Sequence, residues 1–176
     1  MAEKFVRRRW TAVAINPPAL SSRQWMLGGL VGIVLFIMAI SQILTVSDFE
    51  ANFSLQGLSA SRAAAFLIIV GELWAAAGLF KIKLSRLFRN FANGSALLVG
   101  LFWFTWNAYL AVSPFKFSTN FFGGYTHQVP GIWSLLESLL LVGALIYLQS
   151  AIAHRSDAEL PVVTRINKKD ANKGRR

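Results

Sequence analysis

The chain has no cysteine and two histidines among its 176 residues. The first absence removes disulfides, thiolate nucleophiles, cysteine-ligated iron–sulfur clusters and thiolate zinc sites from the chemistry this chain can carry by itself. The histidines, His127 and His154, fall on opposite faces of the membrane predicted below, so they cannot together ligate one haem or one metal. Neither has an acid and a serine in the relation that a serine triad needs. No strand is predicted, so no glycine-rich phosphate loop follows one. Acidic residues are also few, 8 Asp and Glu against 18 Lys and Arg.

What the chain has in abundance is apolar residues: 55% hydrophobic, with a mean hydropathy of +0.48. That content is too high and too clustered for an ordinary soluble domain and points to an integral membrane protein. Four apolar runs, about 25–46, 62–80, 95–113 and 131–149, are each long enough to cross the hydrocarbon core as a helix. The expected architecture is all-α, an up-down bundle of four transmembrane helices over residues 25–150. A basic segment, 1–24, precedes it and a basic tail, 151–176, follows. There is no room for a separate soluble catalytic domain. The first run is too long for a signal-peptide core and is read as a retained span.

The net charge of +10 would suggest nucleic acid in a soluble protein, but here its distribution decides. Sixteen of the 18 Lys and Arg lie before the first run, in the 81–94 connection or after the fourth run. The positive-inside rule then places both termini and that connection in the cytoplasm, and a nucleic-acid partner is not expected. A bacterial-type plasma membrane, or an equivalent energy-transducing one, is the expected location. The alternating Lys81–Arg89 stretch suits an amphipathic segment at the inner surface, among membrane lipids.

The anomaly is Glu72, close to the middle of the second run. An ionisable side chain at that depth costs at least a few kcal/mol unless it is paired, protonated or hydrated. Ala64, Gly71, Ala75 and Gly78 let another helix approach the face that carries it. In the outer part of span 1, Gln42 is expected to hydrogen-bond a neighbouring helix. In span 3, Gly100, Trp103 and Asn107 share one inward face, and Trp106 stands beside them as a packing aromatic or a flank for a flat ligand. Span 4 holds Glu137 about a third of the way in from the outer side, and His127 sits at the bundle mouth. Together Glu72, Glu137, Gln42, Asn107 and His127 outline a polar track opening outward, with Trp103 and Trp106 as candidate ligand-flanking aromatics. It is either a pocket or proton relay, or a set of hydrogen bonds that fix helix register. A short-range similarity joins the two halves: Leu30-Val31-Gly32 matches Leu98-Val99-Gly100, and Glu72 with Gly78 matches Glu137 with Gly143.

The outer connections carry their own signals. Residues 47–61 suit a short helix on the membrane surface. Residues 114–130 hold five aromatics and the Gly123-Gly124 turn, and are expected to lie in the interface, fold over the bundle mouth or meet an outer-side partner.

Gln42-x5-Asp48-Phe49-x3-Phe53-x3-Gly57-Leu58, followed by Gly71-Glu72-Leu73-x4-Gly78-Leu79-Phe80, resembles the DoxX/MauE superfamily of small membrane proteins over about residues 25–150. The resemblance implies a four-span fold and a place beside membrane redox processes: thiosulfate oxidation through quinone, amine-dehydrogenase maturation and oxidative-stress complexes. Many members have lysine near the end of span 1, where this chain has Gln42, and some redox-linked relatives use cysteines that this chain lacks. The expected function is therefore a non-catalytic subunit or assembly factor of a larger membrane complex, packed against other integral membrane subunits. The alternative is a small binding or transport module in which Glu72 and Glu137 handle a proton, quinone or lipid-like ligand. No covalently bound cofactor is expected; quinone and lipid are the candidate ligands.

Overall fold

Ser21 and Gln24 open the first membrane helix with a reciprocal cap. The Gln24 amide N–H donates to Ser21 Oγ at 3.4 Å and the Ser21 N–H donates to Gln24 Oε1 at 3.0 Å, satisfying two donors a helix start leaves open. In the computed structural model, which describes residues 20–80, 82, 84–113, 118–125 and 129–158, this helix is α1, Ser22–Leu44. After Thr45 the chain turns into the short α2, Val46–Leu55, a helix in the connection where a short helix is expected. Then come α3, Ser61–Leu79, α4, Arg86–Val112, a single 3-10 turn at Gly123–Tyr125, and α5, Ile132–Ala158. The described residues are all helical or irregular, without a strand.

The spans differ from their expected limits at two places. The stretch expected as a basic loop through residue 94 is helical from Arg86, because Ser85 caps α4 by accepting the Phe88 N–H at 3.3 Å. The extension is held by packing: Phe88 and Phe91, one turn apart, reach Trp74 of α3, with the Trp74 and Phe88 rings stacked at 5.5 Å and 7°. Lys81 and Lys83 lie outside the described residues. At the other end α5 continues nine residues past its expected limit, to Ala158, and most of the expected basic tail lies outside the described residues. So do residues 1–19, which hold most of the basic N-terminal segment.

In the bundle α1 packs on α3, α3 on α4 and α4 on α5, and α1 touches α5 to close the ring. The helix contacts are made close by small residues. A Cβ on Gly78 would stand 2.6 Å from the Ala92 Cβ, and one on Gly100 would stand 2.9 Å from Leu145 Cδ1 and 3.4 Å from the Val142 Cα. Leu35, Met38, Ala39, Ala75, Ala76, Trp103, Leu145 and Leu148 fill the interior. The outside is apolar too: Leu30, Ile33, Phe66, Leu67, Leu98, Leu101, Leu139 and Leu140 are exposed. Four helices are long and apolar enough to cross a membrane. Buried polar groups within an exposed apolar surface are what a bilayer solvent requires, and this is an integral membrane protein with a four-helix bundle.

Residues 118–125, between α4 and α5, fold back over one end of the bundle. Asn120 at φ 50° and Gly123 at φ +61° turn the chain so that Phe121 points inward and is 4% exposed. Gly123 passes so close to the α1–α2 junction that a Cβ would stand 2.7 Å from the Ser41 carbonyl oxygen and against Thr45 Oγ1. A side chain is excluded there by conformation and by space.

Candidate functional site

The wholly buried polar side chains include Gln42 on α1, Glu72 on α3 and Asn107 on α4, with Trp103 of α4 equally buried. Each arrives by simple helix geometry. Gln42 lies in the last turn of α1, Glu72 just past the midpoint of α3 on the face lined by Ile68, Ile69, Ala75 and Ala76, and Trp103 and Asn107 one turn apart on α4.

Glu72 binds these helices together through one oxygen. Trp103 Nε1–H donates to Glu72 Oε1 at 2.7 Å, and Gln42 Nε2 donates to the same atom at 3.2 Å. The second Gln42 amide hydrogen goes to the Phe121 carbonyl at 3.2 Å. Both bonds from Nε2 end on acceptors, which fixes the orientation of the amide and turns Gln42 Oε1 away from them. A chain of hydrogen bonds thus runs from α4 through the acid and α1 to the folded-back segment.

Around this chain stands an aromatic wall. The Phe121 ring meets Trp103 edge-on at 4.9 Å, Phe49 lies 6.3 Å from Trp103, and Phe53 joins Phe49 at 4.8 Å and Trp106 at 5.0 Å. Trp106 also stacks on Phe102 at 5.8 Å and 18°. These rings exclude water from the acid's first oxygen, which strengthens the two N–H bonds it accepts.

The other half of the cluster is unpartnered. Glu72 Oε2, Gln42 Oε1 and both amide atoms of Asn107 are buried without a hydrogen-bond partner among the described residues. An unsatisfied buried polar group costs about 1–3 kcal/mol, so several in one cluster call for an occupant or for water. Because Oε1 already accepts two donors, Oε2 is the oxygen left to carry a proton or to accept from a bound molecule.

The structure sorts the residues expected at the site. Glu72, Gln42 and Trp103 are joined by hydrogen bonds, Asn107 shares their burial, and Trp106 is a half-buried member of the wall. Glu137, in contrast to the wholly buried Glu72, is exposed on α5. His127 lies outside the described residues. Sequence reasoning missed the Phe121 carbonyl and the Thr45 hydroxyl, which accepts the Gly124 N–H at 2.7 Å. A backbone carbonyl leaves no mark in sequence; the Gly123-Gly124 pair was the available signal that the chain doubles back here. Among the described residues no three His, Cys, Asp or Glu come together as a metal site. Comparison of the chain with protein-family models, with curated proteins and with solved structures finds no match.

Proposed function

We propose that this chain is a non-catalytic integral membrane protein of the DoxX/MauE kind that holds a small, neutral, hydroxyl-bearing molecule inside its helix bundle. On this reading it works as a subunit or assembly factor of a larger redox or energy-transducing complex in a bacterial-type plasma membrane. The binding part rests on one observation: Glu72 satisfies Oε1 twice over and leaves Oε2 unpartnered among the described residues, beside the equally unpartnered Gln42 Oε1 and Asn107 amide. That set needs a molecule that both donates, to Gln42 Oε1, and accepts, from Asn107 Nδ2. Water is the smallest that does so, and the phenol of a hydroquinone is a larger one. A quinone carbonyl only accepts and would face Gln42 Oε1 with no hydrogen to share. The setting in a complex rests on the family resemblance and on the absence of cysteine, which leaves thiol redox chemistry to another chain.

The experiment has two arms. Glu72→Gln keeps an oxygen for Trp103 and Gln42 but converts the open position to an amide. The variant should accumulate and fold normally while density for the occupant beside residue 72 disappears from a high-resolution map. A normal map with no occupant in the unaltered protein would remove the binding reading. Purification from native membrane in mild detergent should bring other membrane subunits with the chain; a stable solitary monomer would remove the complex.

A further inference from the structure

We infer that residues 118–125 are the gate to the Glu72 site: the occupant enters and leaves past Phe121, when this segment lifts from the α1–α2 junction. The inference rests on the binding reading above and adds the route. Hydrogen bonds spread along the segment seat it. Asn52 Nδ2 donates to the Ser118 carbonyl at 2.7 Å, Gln42 Nε2 to the Phe121 carbonyl at 3.2 Å, and the Gly124 N–H to Thr45 Oγ1 at 2.7 Å. All three partners stand on α1, α2 or the residue between them, so one motion of the segment breaks them together.

Two features make it a gate and not simply a cap. The Gln42 amide is shared, one hydrogen on Glu72 Oε1 and one on Phe121, so the site and the cover hold the same side chain. A molecule bound at Gln42 Oε1 acts on the group that fastens Phe121. Second, the cover is irregular chain and a single 3-10 turn, without helical hydrogen bonding to the spans. It can open while the long helices stay whole, as local openings do when few backbone bonds are involved.

The test uses water as the probe and the Trp103 indole proton, bonded to Glu72, as the reporter. Because the chain contains no cysteine, Asp48→Cys with Gly124→Cys introduces the only two thiols. An ideal Cβ at position 124 lies 3.4 Å from the Asp48 Cβ, close to disulfide spacing. Exchange of the six indole protons into heavy water is followed by nitrogen-15 NMR in micelles, with the Trp103 signal identified as the one missing from Trp103→Phe. The disulfide should slow exchange at Trp103 by about tenfold or more, the scale expected when a local opening is suppressed. A reducing agent should restore it, and the other five indoles should not change. Gly123→Ala, which cannot seat at φ +61° against Ser41, should speed it. Equal Trp103 rates in the locked, reduced and Gly123→Ala proteins would overturn the gate and leave the binding reading standing. A Trp103 proton that never exchanges in any of them, while the other indoles do, would overturn both, because nothing as small as water would then reach the acid.

Discussion

Glu72 and Glu137 stand in the same short pattern, a glutamate with a glycine six residues on, within two apolar helices, yet one is wholly buried and the other exposed. Their glycines differ in the same sense. A Cβ on Gly78 would collide with Ala92, whereas one on Gly143 would meet nothing within 4 Å. The difference lies in the neighbours. Helix α3 is flanked by α1, α4 and the short α2, while α5 packs on α4, touches α1 and turns its remaining face outward. In lipid, where apolar surface gains little by leaving the solvent, burial follows close packing and interhelical hydrogen bonds. A glutamate is therefore drawn inward where donors such as Trp103 and Gln42 wait for it.

The comparison predicts a graded series of effects. Glu72→Leu strands the Trp103 and Gln42 donors and should destabilise the bundle by about 2–4 kcal/mol. Glu137→Leu, on an exposed face, should cost less than Glu72→Leu does. Reversible unfolding in mixed micelles measures both, and equal losses would erase the distinction between the two acids. The glycines come next. Gly78→Ala forces Ala92 away and should cost about 1–3 kcal/mol, while Gly143→Ala should be neutral or stabilising by up to about 1 kcal/mol through better helix propensity. A smaller effect is expected from Trp103→Phe, which removes one donor at 2.7 Å while keeping a ring beside Phe121. It should cost about 1–1.5 kcal/mol beyond any packing change, read in the same unfolding assay. At the acid itself the mildest change, Glu72→Gln, keeps an oxygen for both donors and should stay within about 1 kcal/mol of the unaltered protein. A loss as large as that of Glu72→Leu would mean that charge, rather than the hydrogen-bonded oxygen, holds the cluster.

Much of the site's location was legible beforehand. Helical spacing alone put Trp103 and Asn107 on one inward face, and a polar Gln42 near the end of an apolar span implied a partner on another helix, found in Glu72. The aromatic content of the 114–130 connection implied that it would not stand free, and its described part lies over the bundle end. Other features were not legible. The start of α4 at Arg86 depends on Ser85 as a cap and on Trp74 receiving Phe88, a contact between helices that charge patterning does not encode. The exposure of Glu137 was not legible either, because periodicity within one span shows which residues share a face, not which face is turned inward.

By itself, then, the sequence determined the class of solvent, the number of crossings and the residues too polar to be left without partners, because each follows from transfer free energy and helical period along the chain. Only the tertiary structure decided which of two equivalent glutamates is enclosed, which of its oxygens is used, and that a backbone carbonyl from a distant loop completes the cluster. Those outcomes depend on which helix faces touch, and within a membrane that is settled by packing and hydrogen bonds between elements far apart in sequence.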